Sequence, residues 1–78
     1  MIKWDEHALQ DLQKLEPLVA KKIVKKIREI DTNLHGDIKK LKGLPYFRLR
    51  IGDYRAIFDI DAEDIIILKI THRKNVYK

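Results

Sequence analysis

GLPYFRLRIGDYR, residues 43–55, carries three arginines within eight positions of a run that otherwise alternates like a buried strand. Phe47, Leu49 and Ile51 are interleaved with Arg48 and Arg50, which is the two-residue period of a sheet and not the 3.6-residue period of a helix. Gly52-Asp53 is a tight reversal signal. After it Tyr54, Ala56, Phe58 and Ile60 alternate with Arg55, Ile57 and Asp59. The polar run Asp61-Ala62-Glu63-Asp64 makes a second turn, and residues 65–72 make a third strand. Three consecutive strands on short turns form an antiparallel meander.

Upstream the period changes. Met1 to Trp4 is short and apolar-rich, enough for an edge or closing strand, and Asp5 suits the N-cap of a helix. Leu9, Leu12 and Leu15 or Val19 fall on one side of that helix, and Trp4 and Leu9 have the spacing of a hydrophobic staple. Ala8 stands where a capping box would place Glu. Pro17 ends this helix and fits the first turn of a second. There Val19, Ala20, Ile23, Val24, Ile27 and Ile30 form a stripe at helical period, while Lys21, Lys22, Lys25, Lys26 and Arg28 fill the other face. Those lysines fit phosphate contact or, more simply, a solvated helix face. Asn33 and Gly36 mark the stop. The expected fold is one α+β domain over residues 1–78: an N-terminal strand and an antiparallel helical hairpin packed on one face of a small antiparallel β-meander.

The register of the meander decides where the arginines point. With Phe47, Leu49 and Ile51 toward the helices, Arg48 and Arg50 point away, and the same alternation puts Arg55 on the open face. On the third strand Ile66, Leu68 and Ile70 are expected inward and Lys69, Thr71 and Arg73 outward. Burying an unpaired cation costs several kcal/mol, so this register is preferred to its one-residue slip. Arg48, Arg50, Arg55, Lys69 and Arg73 then share one surface with a single nearby acid, Asp59. The plain explanation is that a two-layer sheet needs a polar outer face. Against it, such faces usually mix both signs. Clustered guanidiniums suit bidentate contact with phosphate oxygens. The same parity leaves Ile57, Ile65 and Ile67 on the outer face, and a partner segment is expected to pack on that patch or along the neighbouring helices.

Composition narrows the class. The net charge is +5; residues 1–38 hold seven Lys/Arg and seven Asp/Glu, and residues 39–78 hold ten and five, so the excess lies in the C-terminal half. A basic half points to an anionic partner such as nucleic acid or an acidic protein. There is no cysteine, which fits a reducing compartment, the cytoplasm. His7, His35 and His72 lack ligand spacing, so neither metal nor cofactor is expected. No secretory signal is apparent. The longest aliphatic run, Ile65 to Leu68, is far below the roughly 20 residues of a membrane span, so a soluble chain is expected.

The C-terminal THRKNVYK adds His72, Arg73 and Tyr77. By default His72 is a half-buried residue at a sheet end and Tyr77 an aromatic lid. LKGLPYFRLRIGDYRAIFDI (41–60) followed by ILKITHRKNVY (67–77) resembles the RelE/ParE superfamily of toxin–antitoxin toxins, in particular its RelE branch. The elements Leu41-x-Gly43, Tyr54-Arg55, His72-Arg73 and Val76-Tyr77 carry the likeness. The resemblance implies a ribosome-dependent endoribonuclease that enters the 30S A site and cleaves translated mRNA, neutralised by a RelB-like antitoxin. It assigns catalytic positions to Arg48, Arg50, Arg55, Arg73 and Tyr77, with His72 as an alternative acid or base. In that frame Lys39, Lys40, Lys42, Lys69 and Lys74 are candidate RNA or ribosome contacts, and Ile57, Ile65 and Ile67 candidate antitoxin contacts.

Attack by the RNA's own 2′-OH needs a base for that hydroxyl, charge stabilisation on the phosphorane-like transition state, and a proton for the leaving 5′-oxygen. Guanidiniums meet the charge requirement, and they favour the phenolate of a neighbouring tyrosine. Some relatives have lysine where this chain has Arg48 and Arg50. Arginine does not give up a proton at neutral pH, so an electrostatic role is expected here. Tyr77 stands one residue from the end of the sequence, and its ordering is expected to come from ribosome and mRNA. Two other outcomes fit the same resemblance: a ParE-like gyrase inhibitor without RNA chemistry, and a degenerate member that only binds antitoxin.

Overall fold

The computed structural model describes residues 1–32 and 38–72, so the stop signal at Asn33 and Gly36, and Arg73, Lys74 and Tyr77, lie outside the described residues. Strand β1 (Ile2–Trp4) runs directly into helix α1 (Glu6–Gln13). Asp5 is the N-cap: its backbone is extended and its carboxylate accepts from the His7 N–H at 3.0 Å. That satisfies one of the four donors a helix start leaves open. α1 buries Ala8, with Leu12 and Leu15 half-buried beside the core. Leu9, expected next to Trp4, is instead 42% exposed at the margin of the packed face.

A three-residue link leads to helix α2 (Pro17–Thr32), which opens on Pro17, where the missing N–H costs nothing. Ile23, Ile27 and Ile30 are fully buried at four- and three-residue spacing, while Lys21, Lys22, Lys25 and Arg28 stay exposed. This is the stripe expected of an amphipathic helix lying on a sheet.

The sheet holds five strands in the order β1-β5-β4-β3-β2, with β2 at Ile38–Lys40, β3 at Phe47–Ile51, β4 at Tyr54–Asp61 and β5 at Asp64–His72. β3, β4 and β5 are the expected meander, and β1 closes one edge by pairing parallel with β5. β2 was not expected. It is three residues long with one apolar side chain, too short to show alternation, and its Lys39 and Lys40 guard an edge against further pairing. The β3–β4 turn has positive φ only at its first central residue, Gly52 (+59°), as in a type II′ hairpin. In the β4–β5 turn the positive φ falls on Ala62 (+55°).

One feature of β5 overturns part of the expected register. Ile57 faces Lys69 but Phe58 faces Ile67, so Leu68 is inserted as a β-bulge. One extra residue shifts the phase of every side chain before it. Ile65 (6% exposed) and Ile67 (0%) therefore point into the core with Ile70, whereas Ile66 is half-buried. The outer-face patch expected from Ile57, Ile65 and Ile67 keeps only Ile57. Four consecutive aliphatic residues, Ile65 to Leu68, carry no alternation of their own, so pairing with β4 and β1 sets their phase. The core between sheet and helices joins Ile23, Ile27 and Ile30 to Leu49, Ala56, Phe58 and Ile67, with the Phe47 and Phe58 rings stacked at 5.6 Å. Full burial of each such isoleucine stabilises the fold by roughly 1.5–3 kcal/mol.

Candidate functional site

The face of the sheet away from the helices is organised as rows of cross-strand neighbours. Lys39 on β2, Arg48 on β3, Ile57 on β4 and Lys69 on β5 form one row; Arg50, Arg55 and Thr71 form the next, toward the β3–β4 turn. Directly opposed residues have Cβ atoms about 4.5–5.5 Å apart. Arg50 and Arg55 are thus held side by side, an arrangement that costs stability through like-charge repulsion. No carboxylate stands among the direct cross-strand neighbours of Arg48, Arg50 or Arg55.

The three arginines differ in exposure. Arg50 is exposed, Arg48 half-buried, and Arg55 buried at 8%, the sole buried charged residue among those described. Arg55 sits between Arg50 and Thr71, on β4, the central strand of the five. A guanidinium partly withdrawn from water acts through a lower effective dielectric than an exposed one, so its pull on an incoming phosphate is stronger.

The remaining predicted residues scatter. Lys39 and Lys69 join the cationic face and are exposed. Lys40 faces Phe47 and has the opposite parity, and Lys42 lies in the 41–46 loop that Leu41 N–H to Tyr46 O closes at 2.9 Å. His72 is half-buried opposite Tyr54, with the two rings edge to face at 5.0 Å and 84°. It belongs to the helix-side parity at the end of the sheet, next to Thr71. Ile65 and Ile67 are inside the core and offer a partner no surface.

Two residues near this end had no signal in the sequence. Asp11 of α1 accepts the Ile70 N–H through Oδ2 at 3.0 Å, and Lys14 caps the same helix close by. Helical periodicity marks both as surface positions; only the crossing of α1 over β5 brings them here.

The far end of the same surface is acidic. There Lys3 Nζ lies 2.9 Å from Asp64, and the Met1 ammonium lies 3.0 Å from Asp31 and 3.8 Å from Asp64. The hydrogen bond to Asp64, then its charge, raises the Lys3 ammonium above its ordinary value, and the bond from Lys3 holds the Asp64 carboxyl below its own.

A model of the ParE toxin of type II toxin–antitoxin systems, parDE, matches residues 2–77. The chain belongs to this toxin family. Toxin RelE3 of Methanocaldococcus jannaschii is 43% identical over 42 residues, 53% of this chain and 48% of that relative, so the match spans about half of its length. A putative RelE-like toxin protein of Escherichia coli is 28% identical across 97% of this chain and 87% of its own. Among solved structures, the toxin–antitoxin complex RelB–RelE from Methanococcus jannaschii matches with a TM-score of 0.77 at 29% identity, covering 96% of this chain and 94% of that one. The motifs at 41–60 and 67–77 thus belong to a RelE/ParE-superfamily toxin, and the two helices on one sheet are the RelE-like α+β fold. Among the described residues of this toxin no helix is long and apolar enough to cross a membrane.

Proposed function

We propose that this RelE/ParE-family toxin is a ribosome-dependent endoribonuclease that enters the A site and cuts translated mRNA by attack of the 2′-OH on the adjacent phosphate. The observation that carries the reading is the double row Lys39–Arg48–Ile57–Lys69 and Arg50–Arg55–Thr71. A protein that only had to keep its sheet wet would not need Arg55 buried against Arg50. In this reading Lys39 and Lys69 hold the RNA backbone, while Arg48, Arg50 and Arg55 offset the charge gained at the transition state. Lys40 and Lys42 add ribosome contacts beyond the face.

Arginine is a poor proton donor or acceptor at neutral pH, so proton transfer falls to the C-terminal residues that the resemblance names. Tyr77 is the base for the 2′-OH, Arg73 and Lys74 contact phosphate, and His72 is the alternative acid or base. The toxin acts where ribosomes translate, in the cytoplasm. Its proposed inhibitor is a RelB-like antitoxin, supported by the likeness to a toxin solved with RelB; of the three isoleucines expected to meet it, Ile57 stays on the outer face.

The test is cleavage of a defined mRNA on purified ribosomes, with RNA ends mapped by primer extension. Wild type is expected to cut within the A-site codon, and Arg55→Ala to cut at least about 100-fold more slowly, the loss typical for one charge-stabilising group. Intact mRNA, together with inhibited supercoiling by gyrase, would replace this reading with a ParE-like one.

A further inference from the structure

β1 pairs with β5 only at Ile65–Ile67, so beyond it the edge of β5 faces α1 instead of another strand. Asp11 covers part of that edge by accepting the Ile70 N–H. Beside it lies a cavity of about 360 Å³ with Asp11, Lys14, Tyr54, Lys69, Thr71 and His72 in its lining. This volume is within the roughly 300–1,000 Å³ of small-molecule sites. Its lining comes from both faces of the sheet. Thr71 is the cross-strand neighbour of Arg55 and Lys69 that of Ile57, whereas Tyr54 and His72 belong to the helix side. The cavity therefore turns the corner of the sheet, and its mouth is continuous with the cationic face.

We infer that this cavity receives an unstacked nucleobase of the RNA strand whose backbone lies on the cationic face. The inference rests on the nuclease reading for the presence of RNA, and adds where the base next to the bound phosphates goes. Single-stranded RNA is read by stacking its bases on aromatic side chains and by hydrogen bonds to their edges. Tyr54 and His72 supply the aromatic wall. Asp11 only accepts, and Lys14 and Lys69 only donate. A base that enters must present a donor toward the carboxylate and an acceptor toward an ammonium. Asp11 Oδ2 already serves Ile70, which fixes the carboxylate and leaves its second oxygen for the base. The site thus positions the strand and selects among bases; of its lining only His72 is also named for the chemistry, as the alternative to Tyr77.

Binding separates this from the cleavage reading. A labelled single-stranded RNA pentanucleotide, with a 2′-deoxy central residue to prevent cutting, is titrated by fluorescence anisotropy at low salt. The central position carries each of the four bases or an abasic sugar. Wild type is expected to bind the best base about tenfold more tightly than the abasic strand. Tyr54→Leu is expected to reduce that ratio to near one. Asp11→Asn keeps an oxygen for the Ile70 N–H but adds a donor, and is expected to change the order of preference among the four bases. Equal binding of abasic and base-containing strands by wild type, or no binding at all, overturns the pocket. So does an unchanged ratio in Tyr54→Leu; if that variant melts early, an unchanged base order in Asp11→Asn overturns it instead. A chain that shows the base effect yet cuts no mRNA on ribosomes loses the nuclease reading and keeps the pocket. One that cuts but ignores the base does the reverse.

Discussion

The outer surface of the sheet has two charged ends built on opposite terms. At the β4–β5 turn, Asp64 meets Lys3 and the Met1 ammonium, and Asp31 of α2 meets Met1, so opposite charges are matched within the chain. At the β3–β4 end, Arg50 is set directly against Arg55, and Lys39 against Arg48. The first arrangement serves folding, since it ties β1, α2 and the β4–β5 turn at one corner. The second sets like charges against each other across the strands, which on its own opposes folding. Between the two ends lies the bulge at Leu68, which lets one long strand keep Ile65 and Ile67 in the core at the acidic end while presenting Lys69 and Thr71 outward at the basic end.

The largest expected effect tests that division. Ile67→Asp places a carboxylate in the core without a partner and is expected to destabilise the fold by at least about 3 kcal/mol, enough to abolish a cooperative melt in a chain of this size. Ile66→Asp, one residue away and half-buried on the other side, is expected to cost well under half as much. Equal losses from the two would mean that the bulge does not set the phase of β5.

Smaller, and of opposite sign, is the effect at Ala62. Its φ of +55° lies where a side chain is strained and glycine is not. Ala62→Gly is expected to raise stability by about 0.5–1 kcal/mol in urea titration, a gain at the end of the sheet already matched for charge. A loss there would show that the turn's preference in the unfolded chain outweighs strain in the folded one.

Much of this molecule is legible in the sequence, for reasons that differ from element to element. The β3–β4 hairpin reads cleanly because polar and apolar residues alternate and Gly52 marks the turn; α2 reads cleanly because Ile23, Ile27 and Ile30 repeat at helical period. Those two together place Arg48, Arg50 and Arg55 on one face from alternation alone. Ile65 and Ile67 were misplaced because an all-aliphatic run has no phase of its own, and the residue that shifts it, Leu68, looks like its neighbours. β2 escaped because a three-residue edge strand is defined by its partner. Asp11 escaped for a related reason: its role depends on α1 crossing β5, a contact between residues 59 apart in the chain.

At the basic end the comparison can be sharpened by removing one charge. Arg50→Gln relieves the repulsion on Arg55 and keeps a polar side chain on an exposed position. It is expected to raise stability by a few tenths of a kcal/mol at low ionic strength, with the gain fading as salt shortens the Debye length. Cleavage on ribosomes is expected to fall in the same variant. Stability and activity moving in opposite directions would mark Arg50 as a residue kept for its ligand. If both fell together, Arg50 would be supporting the sheet.

The smallest effect belongs to the Lys3–Asp64 pair, exposed and so weak. Its signature is the shape of a pH profile. Asp64 is held below its ordinary 3.8 in the folded state, so its contribution is present above that value and disappears as pH falls through the folded one. Lys3 is held above its ordinary 10.5, so its contribution is present below that value and disappears as pH rises through the folded one. The Tm difference between wild type and Lys3→Met is therefore expected to be widest on the plateau between these limits and to close on both sides. A difference that persisted at a pH low enough to protonate the folded carboxyl as well as the unfolded one would assign the effect of Lys3 to its aliphatic stem lying on the sheet. The acidic end would then be held by packing and not by matched charge.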